Sequence, residues 1–319
     1  MIAAVVVFYH PDLALLERLL TSLGGEVDKV VAVDNTPGSS ATMALFLGRL
    51  PYPVTYLPLG DNKGVAEAQN IGIQESIRSG CSHVLLLDQD SALPPGMVNK
   101  LMAAEGELLK AGVKVAAVGP QYIDEKTGIP SFAVRYSAVT VRKIKLDPLS
   151  SVPVETDILI ASGSIIRTAA LQSVGMMRDD LFIDFVDTEW ALRARSKGYQ
   201  CYCVPNAIMM HSVGDASIKV FGKSVYLHSD LRKYYRLRNA MYLLRLSSMG
   251  WQWRSYILRW IPYYLLLNLY TAEEKLPNAR LLLNALWDGL LGKLGPAQQC
   301  RKAQVVKLDK SSLSFREGR

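Results

Sequence analysis

Two aspartates two residues apart, Asp88 and Asp90, follow the apolar run Val84-Leu85-Leu86-Leu87. Carboxylates so spaced where a strand ends can both reach one divalent cation, and Mg2+ or Mn2+ prefers oxygen ligands shared with substrate phosphates. A cation there would offset the charge on a departing diphosphate; the plain alternative is a solvated turn with two surface acids. Asp34 ends a second apolar run. Its carboxylate could accept from the imide N–H of uracil or thymine or from a ribose hydroxyl, or it could cap a turn. Asn62-Lys63-Gly64 precedes a helical pattern and either offers backbone N–H groups and a cation to an anion or caps the helix. Asp184, Asp187 and Glu189 cluster within six residues, as a source of a general base or as acids favouring a helix N-terminus. His211 ends a further apolar run, where an imidazole can coordinate a metal or simply pack.

These residues need elements to hold them. Residues 3–8, 30–33, 54–57, 83–87 and 113–118 are short apolar runs that read as buried strands. Between them, residues 12–23, 43–50, 62–79 and 97–111 repeat apolar positions at helical spacing. This alternation predicts an α/β fold, an open sheet with helices on both faces, in which ligands sit beyond the carboxyl ends of the strands. Asp34, Asn35, Asp88 and Asp90 all fall at those ends. Residues 121–154 read as loops and antiparallel strands, 159–166 as a strand interrupted by Ser162-Gly163-Ser164, 181–198 as an acidic segment passing into a helix, and 201–204 and 208–210 as strands. The chain beyond Tyr226 reads as helical, and the residues from about Gln298 as a polar, mobile tail.

The chain has 319 residues, half of them hydrophobic, with 36 Lys+Arg against 29 Asp+Glu for a net charge of +7. This balance excludes a disordered or collagenous chain. Four cysteines (Cys81, Cys201, Cys203, Cys300) without a CxxC pair exclude a disulfide scaffold or zinc ribbon. The apolar start lacks a basic n-region and is broken by His10-Pro11-Asp12, which predicts a cytoplasmic protein. Charge is uneven: residues 219–319 hold 18 basic and 6 acidic side chains, so that stretch is +12 and the remainder −5. The basic part also crowds Trp251, Trp253, Trp260, Tyr263, Tyr264 and Tyr270 around Arg254 and Arg259. Interrupted by Arg259 and Pro262, it reads as too short and broken to span a bilayer. It suits a helix lying on an anionic membrane surface, a helical hairpin packed on the body, or a contact between copies.

Val5-Val6-Val7-Phe8-Tyr9, Val33-Asp34-Asn35, Asn62-Lys63-Gly64-Val65-Ala66-Glu67-Ala68-Gln69-Asn70-Ile71-Gly72 and Leu87-Asp88-Gln89-Asp90 occur in that order. Together they resemble the nucleotide-sugar half of the family 2 inverting glycosyltransferases, which have the GT-A fold. The likeness continues through Phe182-Ile183-Asp184-Phe185-Val186-Asp187-Thr188-Glu189-Trp190, then Arg193, Gly198 and His211. In detail it is similar to the bacterial rhamnosyltransferase branch, which uses dTDP-β-L-rhamnose to build α-L-rhamnosides of cell-surface polysaccharides.

The resemblance implies a mixed GT-A sheet over residues 1–225 (a nucleotide-sugar half, 1–120, and an acceptor half, 121–225), a helical extension over 226–297 and a polar tail over 298–319. It implies that Asp34 holds the pyrimidine base, and that Tyr9, Asn62, Gly64 and Asn70 shape the nucleotide-sugar pocket. Asp88 and Asp90 would flank a Mg2+ or Mn2+ diphosphate, with Asp90 the direct ligand and His211 an additional one. Asp187 would be the general base, and Arg238 and Asn239 would face phosphate or acceptor. Many relatives have Glu-Asp where this chain has Val186-Asp187, so Asp184 is the alternative base. The partners implied are a dTDP-sugar donor, a glycan or lipid-linked saccharide acceptor, the inner face of the cytoplasmic membrane and, as an option, a second copy. The competing readings are a UDP-sugar donor, or a non-catalytic nucleotide-sugar or nucleic-acid binder. Against the last, the basic part has no helix-turn-helix, zinc or RNA-recognition pattern, and no nucleic-acid partner is expected.

Overall fold

A computed structural model describes residues 1–38, 41–125, 127–137, 140–211, 216–220 and 223–297, the backbone alone for 216–220 and 223–227. Strands and helices alternate strictly through β1 (Ile2–Phe8), α1 (Leu13–Ser22), β2 (Lys29–Asp34), α2 (Ala41–Leu47), β3 (Val54–Pro58), α3 (Val65–Arg78), β4 (His83–Asp88) and α4 (Met97–Lys110). There follow β5 (Val115–Asp124), a separate hairpin of β6 (Phe132–Tyr136) and β7 (Val141–Lys145), then β8 (Val154–Thr156) and β9 (Ile165–Arg167). Next come α5 (Thr168–Val174), α6 (Val186–Ser196), β10 (Gln200–His211) and the hairpin of β11 (Ala216–Val220) and β12 (Lys223–Leu227). The helices α7 (Asp230–Leu243), α8 (Gly250–Thr271) and α9 (Lys275–Leu291) complete the order.

Eight strands form one mixed sheet in the order β3-β2-β1-β4-β9-β5-β10-β8, with β8 and β9 antiparallel to their neighbours. Its centre is apolar on both faces, as parallel strands under two helical layers must be: Ala3, Ala4, Val5 and Val6 are fully buried. Helix α1 starts where the Asp12 carboxylate accepts from the Ala14 N–H at 2.8 Å, and it turns Leu16, Leu19 and Leu20 onto the sheet. On the opposite face a Cβ at Gly72 would collide with Val5, so α3 lies directly on β1. The register then sets the functional edge. Phe8 pairs with Asp34 and Val7 with Asp88, so the two acids flank the carboxyl end of β1.

The expected strand over 159–166 shrinks to Ile165–Arg167. The Ser162 hydroxyl accepts from the Asp88 N–H at 3.2 Å, and Gly163 (φ +83°) donates to the Leu86 carbonyl at 2.8 Å. Residues 157–164 thus lie against the end of β4 as an irregular loop. Residues 201–204 and 208–210 belong to one bulged strand, β10. Helix α8 runs unbroken through Pro262, where a break was expected.

The three C-terminal helices are packed into the body. Tyr235, Leu237, Trp253 and Leu282, each at most 1% exposed, share one apolar cluster with Val5, Ala66 and Trp190. The boundary expected near 225 falls at the β12 hairpin, but α7 beyond it is core. Cys81, Cys201 and Cys203 are free and buried. The tail expected from Gln298 lies outside the described residues.

Candidate active site

At the β2 end of the edge, Asp34 is buried and accepts from the Tyr56 hydroxyl (2.8 Å) and from the Thr36 N–H (3.0 Å). Burial, and then the bond to Asp34, push the Tyr56 phenol well up, so it stays a donor. Each Asp34 oxygen keeps a lone pair for a base N–H. Beside it, the Asn35 side chain donates to Asn62 Oδ1 (3.0 Å) and accepts from the Lys63 N–H (2.8 Å), and Asn62 Oδ1 also accepts from the Gly64 N–H (3.0 Å). These bonds tie the end of β2 to the start of α3. Gly64 has φ +85°, and a Cβ there would lie 2.6 Å from Phe182; only glycine lets this turn meet the 180–185 loop. The Tyr9 N–H donates to Gln89 Oε1 at 2.7 Å, linking the end of β1 to the Asp88–Asp90 turn.

That turn is braced from several sides. Ser91 and Ser162 hydroxyls meet at 2.6 Å, and Arg18 donates to the Asp90 carbonyl at 2.9 Å. Burial raises the Asp88 carboxyl; His211 and Arg232 counter the shift and Asp90 adds to it, so all four charges act on one spot. His211, which pairs with Asp124 at the end of β10, leaves Nδ1 buried with no hydrogen-bond partner. An orphaned imidazole nitrogen near the Asp88 carboxylate fits a divalent cation. Among the described residues no three such side chains converge closely enough to hold one alone. A cation held here would complete its shell with substrate oxygens, as Mg2+ commonly does.

Opposite lies a strained loop. Phe182, Asp184 and Phe185 have φ of +67°, +64° and +64°, a region that costs non-glycine residues of order 1–3 kcal/mol each. Asn239 holds it, its amide donating to the carbonyls of Leu181 (3.0 Å), Ile183 (2.8 Å) and Asp184 (3.0 Å). Arg238 donates to the Leu181 carbonyl (2.9 Å), the Gly295 carbonyl (2.6 Å) and Asn239 Oδ1 (2.9 Å). Arg238 and Asn239 are 1% and 0% exposed, so neither faces phosphate or acceptor as the resemblance implied. They are an internal clamp because their polar atoms are needed by loop carbonyls that no secondary structure satisfies. Asn70 acts similarly, exchanging two 2.9 Å bonds with the Met177 backbone and fixing α3 to the segment before this loop.

The acids of the cluster separate by environment. Glu189 is buried and bound by Arg193 through both oxygens at 2.9 Å. Asp184 is held by Arg232 (2.8 and 3.3 Å) with Arg236 at 3.8 Å. Both oxygens of Asp184 are thus engaged by guanidinium groups, which fixes the carboxylate in place. Asp187, in the first turn of α6, has no cationic partner in the structure described; its Oδ1 accepts from the Thr188 N–H at 2.7 Å. Burial lifts its carboxyl to about 6, with Asp184 and Asp88 adding to the shift and Thr188 opposing it. Asp187 and Thr188 line a pocket of about 180 Å³ with Tyr122, Phe132, Thr156 and Leu159. Sequence reasoning missed Arg232, Ser162, Gln89 and Phe182. Their signal is tertiary: nothing in the local pattern says that α7 returns to the strand ends.

The comparisons with known proteins agree with this geometry. The sequence family described as "Glycosyl transferase family 2" matches residues 4–174. The chain is 32% identical over 299 residues to the dTDP-rhamnosyl transferase RfbF of Shigella flexneri, covering 92% of this chain and 97% of that one. Among solved structures it is similar to GalNAc-T7 with UDP, GalNAc and Mn2+ (TM-score 0.59, 13% identity, 91% of this chain), spanning only 56% of that chain. It is similar also to residues 1–349 of S. aureus TarS in complex with UDP-GlcNAc (TM-score 0.57, 16% identity, 90% of this chain, 80% of that one). A third is the mannosyltransferase PcManGT of Pyrobaculum calidifontis with GDP-Man and Mn2+ (TM-score 0.52, 16% identity, 98% and 80%). The structural likenesses establish a GT-A sheet, and the sequence matches establish that this chain belongs to glycosyltransferase family 2.

Proposed function

We propose that the protein is an inverting, metal-assisted glycosyltransferase that moves L-rhamnose from dTDP-β-L-rhamnose to a hydroxyl of a cell-surface glycan or lipid-linked saccharide. The donor reading rests on the near full-length similarity to the Shigella flexneri dTDP-rhamnosyl transferase. The observation that carries the reaction is the nearness of Asp88, at the end of β4, to Asp187: burial lifts the Asp187 carboxyl to about 6, and the Asp88 charge adds to the shift.

In this reading Asp34 accepts from the thymine imide N–H, while Tyr9, Asn62, Gly64 and Asn70 shape the pocket around it. Asp90, Asp88 and His211 would hold Mg2+ or Mn2+, which when bound neutralises charge on the leaving diphosphate. Arg232, aimed by its bonds to Asp184, adds a cation from the other wall. The acceptor enters by the pocket beside Asp187. Asp187 takes the acceptor hydroxyl proton as that oxygen bonds to the anomeric carbon, and the bond from that carbon to the diphosphate oxygen breaks on the opposite face. The β-linked donor therefore gives an α-linked product, through a transition state with oxocarbenium character. A carboxyl near 6 is ionised at neutral pH and is a stronger base than an ordinary aspartate. Asp184, held by two arginines, serves position rather than proton transfer.

The acceptor reading places the enzyme at the inner face of the cytoplasmic membrane as a peripheral protein. No helix of the described residues is long and apolar enough to cross a membrane.

A thermal-shift panel of nucleotide sugars tests the donor. A ligand binding only the native state adds ~2.7 kcal/mol at a hundredfold excess over its dissociation constant. The expected result is a Mn2+-dependent shift with dTDP-rhamnose and little with UDP-sugars. A shift with a UDP-sugar alone would overturn the rhamnose assignment and leave the reaction type standing.

A further inference from the structure

Half of the exposed large hydrophobic side chains among the described residues lie on two helices, α8 and α9. On α8, Trp251, Leu258 and Leu266 are 63%, 55% and 70% exposed, and Tyr263 and Tyr270 stand beside them. On α9, Leu276, Leu283 and Trp287 are 75%, 64% and 59% exposed. Steps of seven and eight residues on α8, and of seven and four on α9, put each set on one face of its helix. The opposite sides of both helices are buried, by Trp253, Ile257 and Ile261 on α8 and by Leu282, Ala285 and Gly289 on α9. The exposed stripes are therefore surplus to the core, and patches of this extent mark an interaction surface.

The charges say what kind of surface. Within the stripes the exposed ionic side chains are cations, Arg259 on α8 and Arg280 on α9. The acids lie elsewhere: Glu273 and Glu274 sit in the connecting turn, and Asp288 is drawn inward by the Tyr234 hydroxyl at 2.7 Å. Beyond α9, residues 298–319 hold six basic and two acidic side chains. Aromatic and aliphatic side chains interleaved with arginine, next to a cationic segment, suit an anionic lipid surface, where apolar insertion and charge attraction add. A two-fold contact would set this patch against its own copy, bringing like charges to face one another.

We propose that the exposed stripes of α8 and α9 dock the enzyme on an anionic bilayer surface, the tryptophans and tyrosines seated at headgroup level. This inference rests on the membrane placement proposed above and names the face responsible. Since α7 and α9 pack against each other and α7 carries Arg232, Arg238 and Asn239, the surface that meets lipid is joined through one helix layer to the reaction centre.

The test is co-sedimentation of the full chain with vesicles of phosphatidylcholine, alone or mixed with phosphatidylglycerol, at low and high salt. Wild type is expected to bind the mixed vesicles, more weakly at high salt. Leu283→Ser combined with Trp287→Ser is expected to weaken binding at least about tenfold, with the donor-induced rise in melting temperature unchanged as proof of folding. Equal binding by wild type and variant would overturn this face and leave the membrane placement standing. No vesicle binding by wild type would overturn both. Dimerisation of wild type that the double variant abolishes, without vesicle binding, would assign the stripes to a second copy instead.

Discussion

Asp187 combines two properties that a general base needs: access to a pocket and a carboxyl displaced towards neutrality. Its replacement by Asn is expected to lower transfer by about 10²–10⁴-fold, the usual contribution of a positioned base, with donor binding retained. Donor-saturated rates should rise with pH through about 6 and level off above it, since the protonated carboxyl cannot accept a proton. Stability carries the opposite sign. A folded-state value above the ordinary aspartate value means that the fold loses stability as pH rises from about 4 to about 6. Asp187→Asn should therefore stabilise the fold at pH 7.5, by on the order of 3 kcal/mol at most, raising the melting temperature there and leaving it unchanged near pH 3.5. A lower melting temperature at pH 7.5 would contradict the desolvated carboxylate. If Asp184→Asn abolishes transfer and Asp187→Asn does not, the base is Asp184. At this scale the sequence shows residues that end apolar runs, Asp34, Asp88 and Asp90, because a strand end is legible locally. The resemblance misplaces Arg238 and Asn239, since a polar pair in a helical pattern does not show which way it faces until the helix is known to be packed. A guanidinium 4.6 Å from the ring centre of Tyr235 has no one-dimensional signature.

The loop between Phe182 and Phe185 is the element on which the site turns. It presents Asp184 to Arg232, takes Val65 N–H on the Phe182 carbonyl at 2.8 Å, and leads into the turn that carries Asp187. Its positive-φ residues stay in place because Asn239 serves the carbonyls of Ile183 and Asp184 within it and of Leu181 just before it. Asn239→Ala is expected to cost about 2–4 kcal/mol, the scale of leaving buried carbonyls unpaired, and to reduce transfer although Asn239 touches no substrate. Denaturant unfolding and turnover measured on the same sample check this. Gly64→Ala should fail similarly, through collision with Phe182 rather than loss of a ligand contact. The strands and helices of the nucleotide half are legible from apolar periodicity, which burial on both faces of a parallel sheet enforces. The 157–164 segment is not, because its apolar residues suggest a strand while Ser162 and Gly163 bind it to the end of β4 as a loop.

At the level of the whole molecule, the change in composition after residue 218 marks off a basic, aromatic-rich part and leaves open whether it packs on the body. The structure packs it there: α7 supplies Tyr235 and Leu237 to the core and Arg232, Arg238 and Asn239 to the loop that frames the site. A chain ending at residue 228 is expected to lose cooperative unfolding and any donor-induced shift. A truncated chain that melts cooperatively and still binds donor would make the helices an appendage. Basic composition is a surface property and does not reveal which residues of a helix face inward, so the sequence gives the helices but not their integration.

The central claim is that one cleft joins a donor site at Asp34, Asp88 and Asp90 to a base at Asp187. Its most direct test is release of dTDP from dTDP-β-L-rhamnose by wild type and by Asp187→Asn, with Mn2+, Mg2+ or chelator, in the presence of a hydroxyl-bearing acceptor glycan. The account predicts metal-dependent release coupled to an α-linked product for wild type, and donor binding without product for the variant. Full turnover by Asp187→Asn, or a β-linked product, would contradict it.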